Sequence, residues 1–202
     1  ITSNLSGAYN AAMTAKAAYE KDHPERRVLV IDSLSTGPEM VLLMEKLAEM
    51  IHENRSFDEI SSQIARYQQH TGLLFMLESM NNLANNGRVS PVVAKVAGLL
   101  GIRVVGKASD QGTLEQLNKC RGERKALDTI VRHLKELGFN GGKIRIGHCF
   151  NPGAAVELKA RILNQFEKAR ISIHECRGLC SFYAEKGGLL VGFEKFLTAC
   201  PA

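Results

Sequence analysis

Lys143-Ile144-Arg145-Ile146-Gly147-His148-Cys149-Phe150-Asn151-Pro152 passes a short β-branched strand directly to a helix. Asn151 can accept a first-turn N–H, and Pro152 suits the first helical position, where its fixed φ helps and its missing N–H costs nothing. The same alternation continues on both sides: helical spacing over 124–137, a strand at 143–148, a helix at 151–166 and a strand at 171–176. A last strand is expected at 189–193. Helix and strand in turn predict an α/β fold. Just upstream, 102–105 and 113–117 read as two strands joined by Ser109-Asp110-Gln111-Gly112, a natural hairpin.

Toward the N-terminus the pattern is less regular. Ser6 can cap a helix running to about residue 21, and 27–32 (Arg-Val-Leu-Val-Ile-Asp) is a continuous apolar run of the kind a buried parallel strand shows. Met40, Leu43, Met44, Leu47 and Met50 mark a helix over 34–52 that admits Pro38 in its first turn. Ser56-Phe57-Asp58-Glu59 is a capping box, in which Ser and Glu each satisfy the other's backbone N–H, so a further helix should run to about 69. A strand at 72–77 opens a second region. A short helix follows it and stops at Asn85-Asn86-Gly87, and 91–100 is apolar and helical. The expected division is therefore two closely packed lobes, 1–71 and 72–202.

The 202 residues are 45% hydrophobic and 23% charged, which suits a folded globular chain, and no apolar run is long enough to span a bilayer. The net charge of +5 permits an anionic partner, but 26 basic residues are interleaved with 21 acidic ones. The exception is Lys119-Cys120-Arg121-Gly122-Glu123-Arg124-Lys125, which concentrates cations at a strand-to-helix junction. Five cysteines without CxxC spacing argue against a disulfide framework or a zinc site and fit a reducing cytoplasm. His174, Cys176 and Cys180 read as strand and core residues before they read as metal ligands, so no metal is expected.

Polar residues gather where strands hand over to helices: Thr2, Ser3 and Ser6; Asp32 and Ser33; Arg88 and Ser90; Lys119 and Arg121; His148 and Asn151. Such loops form the usual ligand crevice of an α/β sheet. Thr2, Ser3, Ser6 and the N–H groups from Gly7 onward can converge on a carboxylate or phosphate; the plain alternative is an ordinary capped helix. His148 reads equally as a ligand contact and as a satisfied interior histidine. No GxxxxGK[ST], GxGxxG or GxSxG segment is present, so neither a nucleotide-binding nor a hydrolase reading has a motif behind it.

Four segments, taken in order, resemble the DegV family of bacterial fatty-acid-binding proteins: Thr2-Ser3-Asn4-Leu5-Ser6-Gly7-Ala8-Tyr9, Val30-Ile31-Asp32-Ser33-Leu34-Ser35, Asn86-Gly87-Arg88-Val89-Ser90, and Lys119-Cys120-Arg121-Gly122-Glu123-Arg124-Lys125-Ala126. The resemblance implies an N-terminal lobe with a parallel sheet, incomplete here, and a C-terminal lobe with a mixed sheet. It also implies a long-chain fatty acid between them and no further cofactor. Thr2, Ser3, Ser6 and Gly7 would hold its carboxylate. Asp32, Ser33, Arg88, Ser90, His148 and Tyr183 would stand at the lobe junction. Val92, Val93, Val96, Leu99, Leu100 and Ile102 would line an apolar tunnel or else form plain core.

The implied role is a non-catalytic cytoplasmic carrier, with peripheral membrane contact for lipid exchange. It presents the carboxylate to a separate ATP-dependent fatty acid kinase, and Lys119, Arg121, Arg124 and Lys125 meet that partner or the acyl phosphate. The alternatives are a small enzyme acting on a phosphorylated substrate and a nucleic-acid-binding regulator. The chain departs from the family twice. The family's first strands are missing, so the chain reads as a fragment of a longer protein, expected to expose a sheet edge near Val28 to Ile31. Ala184 also stands where the family's His-x-Gly-Pro-Gly segment carries histidine, which leaves Tyr183 or Lys186 as the substitute.

Overall fold

A computed structural model describes residues 1–91 and 101–195. Among them, β1 (Thr71–Leu77), β2 (Ile102–Ala108), β3 (Leu114–Arg121), β4 (Lys143–His148), β5 (Arg170–Glu175) and β6 (Leu189–Glu194) form one sheet in the order β3-β2-β1-β6-β4-β5. Only β4 and β5 run parallel, and the other neighbouring pairs are antiparallel. The connections explain this. Helix α6 (Pro152–Gln165) provides the crossover that a parallel pair needs, whereas β2 and β3 are joined by the tight Ser109–Gly112 turn, with Ser109 N–H donating to Thr113 O at 2.8 Å. β1 and β6 lie at the centre, covered on both faces, and so are apolar at nearly every position.

Helices α5 (Glu123–Glu136) and α6 cover one face, burying Leu127, Ile130, Leu134, Leu158 and Ile162 against Ile144, Ile146, Val191 and Phe193. Helix α2 (Gly37–His52) lies on the other, against β6, β4 and β1, and α3 (Phe57–Gln69) packs on it through Leu43, Met50 and Ile64. The Arg145 guanidinium grips Glu45 through two bonds of 2.7 and 2.6 Å and ties α2 to β4. Three further helices stand among the described residues: α1 (Ala8–Asp22), with no buried residue, α4 (Asn81–Asn85) and α7 (Gly178–Ala184).

Several local signals hold. Ser56 and Glu59 form both halves of the capping box, and Asn151 caps α6 through the Ala154 N–H at 3.3 Å. Gly7, one residue after Ser6, is the N-cap of α1, while the Ser6 hydroxyl accepts from the Ala8 N–H at 3.2 Å. The strand expected over 27–32 is corrected: those residues have no ladder partner among the described residues. An apolar run makes a strand only where a neighbouring strand can take its N–H and C=O groups. Helix α7, absent from the sequence reading, is too short to show a helical period. The expected helix at 91–100 lies outside the described residues beyond Pro91. The break at 71/72 falls where β1 starts, with α2 and α3 lying on the sheet's face.

Glu39, at the start of α2, is 5% exposed and accepts from Thr71 Oγ1 at 2.7 Å and from Ser35 Oγ. Burial pushes its carboxyl above the ordinary range, against those two hydroxyls and nearby Lys195. An acid with a raised folded pKa binds its proton more tightly folded than unfolded. Its stability contribution is greatest below the unfolded value and declines as pH rises through the folded one. Glu39→Gln therefore gains stability relative to the parent chain as pH rises from about 4.3 toward neutrality. Urea midpoints of both forms across that range check it, and a parallel pair of curves would contradict it.

Candidate functional site

On the α2 face of the sheet, a cavity of about 260 Å³ is floored by Leu73, Phe75 and Leu77 of β1 and Leu190 of β6. Alternation places Leu73, Phe75 and Leu77 on this face, while Leu74 and Met76 enter the core beneath α5 and α6. Leu114 and Leu83 close the sides. Helix α7 forms a wall through Leu179, Cys180, Tyr183 and Ala184, paired by their i, i+4 spacing. One end is polar: Ser6, Thr36 and Arg88 line it beside Ile1 and Leu5. Two larger depressions, each about 490 Å³, are lined mostly by charged and polar groups. In the first, several of those groups already satisfy one another: Tyr67 donates to Glu194 at 2.7 Å, and Lys143 pairs with Glu49. The apolar 260 Å³ cavity with a single polar end is the better site for a ligand.

Arg88 is the one cation lining this cavity among the described residues. A backbone device delivers it. The Gly87 N–H bonds Ala84 O at 2.9 Å and the Arg88 N–H bonds Leu83 O at 2.8 Å, a Schellman closure of α4 that requires the φ of +71° that Gly87 adopts. The guanidinium then donates from Nε to Leu5 O at 3.3 Å and lies 5.8 Å from the centre of the Tyr183 ring. It forms no ion pair with a described acid, so its charge is available to a ligand.

The loop carrying Ser6 is held by the other polar residues of its neighbourhood. The Thr2 N–H donates to Ser35 O at 2.9 Å, and the Ser6 N–H to Thr2 O at 3.2 Å. Thr2 is 1% exposed, and its hydroxyl fills the space that a side chain at Gly112 would need. Asp32 Oδ1 accepts from the N–H groups of Ser3 (3.0 Å) and Leu34 (3.2 Å). Burial raises the Asp32 carboxyl, but the hydrogen bonds from Ser3 and Leu34 outweigh it and hold the group below its ordinary range. The Ser33 hydroxyl is spent on Ser35 O at 3.1 Å.

Of the residues singled out from sequence, the structure thus brings Ser6, Arg88 and Tyr183 to one cavity. Thr2, Ser3, Asp32 and Ser33 stand behind it as loop scaffolding. Gly7 and Ser90 lie outside its lining. Ala184 is buried in its wall, and Lys186 is exposed elsewhere. His148 shares the Ile144 and Ile146 side of β4, away from the cavity, with Nδ1 buried and unpartnered among the described residues. Lys119, Arg121, Arg124 and Lys125 are exposed around the β3–α5 corner and make no ion pair with a described acid. Val92, Val93, Val96, Leu99 and Leu100 lie outside the described residues, and Ile102 is half-buried at the start of β2. Sequence reasoning missed the floor of β1, although the alternate apolar positions 73, 75 and 77 carried its signal. Among the described residues no His, Cys, Asp and Glu side chains group as a metal site would need, and no helix is long and apolar enough to cross a membrane.

An α/β sheet with an apolar cavity on one face, closed at one end by a hydroxyl and an unpaired guanidinium, defines a protein suited to an elongated anionic amphiphile. The sequence profile described as "Uncharacterised protein, DegV family" matches residues 1–195, and the chain belongs to that family. A DegV domain-containing protein of Streptococcus pneumoniae serotype 4 is 47% identical over 194 residues, covering 96% of this chain and 69% of the relative. The crystal structure of the Streptococcus pneumoniae fatty acid kinase (Fak) B3 protein loaded with linoleic acid superposes with a TM-score of 0.95 at 46% identity, covering 97% of this chain and 70% of that one. A DegV family protein from Eubacterium eligens loaded with heptadecanoic acid gives 0.94 at 45% identity, covering 97% and 71%.

Proposed function

We propose that this chain binds a long-chain fatty acid in the 260 Å³ cavity, carboxylate toward Ser6 and Arg88, and presents that carboxylate to a separate ATP-dependent kinase. The observation that carries the reading is the cavity's polarity: a mostly leucine lining with Phe75 on its floor, and one end that carries the Ser6 hydroxyl and the Arg88 guanidinium. An acyl tail gains about 0.8 kcal/mol for each CH₂ it buries, so the apolar walls supply most of the affinity and the polar end fixes direction. The two solved relatives loaded with linoleic and heptadecanoic acid support the ligand class. The kinase named for one of them supports the partner.

In this reading the chain performs no chemistry itself and needs no cofactor. The exposed cations Lys119, Arg121, Arg124 and Lys125 meet the kinase or the transferred phosphoryl group, whose charge they complement. Exchange of the lipid takes place at a membrane surface, in the cytoplasm. Ser6→Ala tests the headgroup assignment. Losing a hydrogen bond to a charged group costs about 1.5–3 kcal/mol, so fatty-acid affinity should fall roughly 10- to 150-fold while the thermal midpoint stays near that of the parent chain. Unchanged affinity would remove Ser6 from the site.

A further inference from the structure

We propose that Cys176 and Cys180 form a dithiol modification site, opening on the lipid cavity, that a hydroperoxide closes to a disulfide. Both thiols line a separate small cavity of about 160 Å³ between the start of α2 and the ends of β4 and β5, and Cys180 also lines the 260 Å³ cavity. Two glycines place the sulfurs at one corner. A Cβ on Gly37 would lie 3.4 Å from Cys180 Sγ. A Cβ on Gly147 would lie 3.0 Å from Cys176 Sγ and 3.2 Å from Pro38 Cγ, the residue next to Gly37. The chain turns between them at Gly178, whose φ is +50°.

Of the other described cysteines, Cys149 packs beside this pair and Cys120 stands apart from it. Cys120 contacts Thr129 at 3.4 Å beneath α5, and Cys149 is 3% exposed with its sulfur toward Ser181 O. Burial, then the neighbouring Cys180 and Cys149, push the Cys176 thiol up to about 12, which disfavours it as the thiol that first attacks the oxidant. Cys180, the one of the two that also lines the 260 Å³ cavity, meets the oxidant first. Arg145, His174 and Arg177 face the small cavity, opposed by Glu175.

In the first step Cys180 sulfur attacks the hydroperoxide. The O–O bond breaks, an S–O bond forms, and the alcohol leaves with the thiol proton. Cys176 sulfur then attacks the sulfenic acid, the S–O bond breaks, and water leaves with the second proton. Two thiols are oxidised and one peroxide bond is reduced. The disulfide holds the two α-carbons about 5.5–6 Å apart, fixing the first turn of α7, which walls the lipid cavity. The thiol chemistry stands on geometry alone, whereas a lipid hydroperoxide reaching Cys180 through the cavity rests on the fatty-acid reading.

Tryptic mapping without reductant, after linoleic acid hydroperoxide or hydrogen peroxide, tests both. Trypsin cuts after Arg177, so the expected product is peptide 171–177 linked to peptide 178–186, lighter than their sum by two hydrogens. Cys176→Ser should leave a Cys180 sulfenic acid that dimedone traps. The lipid hydroperoxide should act several-fold faster, and excess linoleic acid should slow it. No 176–180 linkage with either oxidant, or linkage of either thiol to Cys149, would overturn the site. Equal rates for the two oxidants would overturn the lipid route. Linoleic acid titration of Cys176→Ser, which lies outside the lining of the 260 Å³ cavity, separates the two readings, because retained binding there upholds the fatty-acid assignment whatever the disulfide does.

Discussion

Arg88→Glu should lower fatty-acid affinity by about 100-fold or more, the largest functional effect expected of a single substitution in this chain. Arg88 is the one cation among the described residues lining the cavity, and no described acid neutralises it. A hydrogen bond to a charged group contributes about 1.5–3 kcal/mol. Reversal removes that attraction and sets a second carboxylate against the ligand's own, and a decade of affinity corresponds to about 1.4 kcal/mol. Arg88→Ala, which only removes the attraction, should fall between the two. The fold tolerates both changes, because the side chain gives up single bonds to Leu5 O and Asn86 O and a distant ring contact. A fatty alcohol of the same chain length makes the result specific. It carries no charge, so Arg88→Glu should bind it about as well as the parent chain does. Equal losses for acid and alcohol would assign Arg88 to the shape of the cavity mouth and not to the headgroup charge.

Gly192→Ala should be the most destabilising conservative substitution. Gly192 lies on β6, where α2 begins its passage across the sheet, and an added methyl would stand 2.4 Å from Glu39 N and 2.5 Å from Pro38 C. Those are backbone atoms and cannot swing aside, so α2 itself must lift from β6. Overpacking of this kind costs about 1–3 kcal/mol, and the upper end is expected where a whole helix moves. Lifting α2 also strains the Arg145–Glu45 pair and the buried Glu39 hydrogen bonds. Gly153→Ala is the matched control. Its methyl would meet nothing within 4 Å inside α6, so the change should stabilise by about 0.5–1 kcal/mol. Urea unfolding of both variants decides the matter. A Gly192→Ala midpoint equal to that of the parent chain would show that α2 is not seated on β6 as described.

Much of the polar constellation was visible as composition before its roles could be separated. Thr2, Ser6, Asp32 and Arg88 all stand on loops beside helix starts or ends. Nothing in their spacing distinguishes a hydroxyl that faces a ligand from one that braces a neighbouring loop. Thr2 is consumed by Ser35 and Gly112, and Asp32 by Ser3 and Leu34. Ser6 and Arg88 are the groups left facing open space. The 27–32 run illustrates the same limit for backbone groups, since its apolar pattern suits a strand but its ladder partner is a tertiary matter.

By itself the sequence determined the alternation of helices and strands from α5 to β5, the β2–β3 hairpin, the Ser56–Glu59 capping box and the Asn151-Pro152 start of α6. Each depends on residues a few positions apart, whose hydrogen bonds and side-chain periods form locally. Tertiary structure alone decided that β1 pairs with β6 through Thr71 and Glu194, that α7 becomes a cavity wall, and that Cys176 and Cys180 line one small cavity beside it. Those outcomes depend on segments far apart in the chain competing to bury the same apolar faces and satisfy the same polar groups. Such a competition is settled by the packed whole and leaves no local pattern to read.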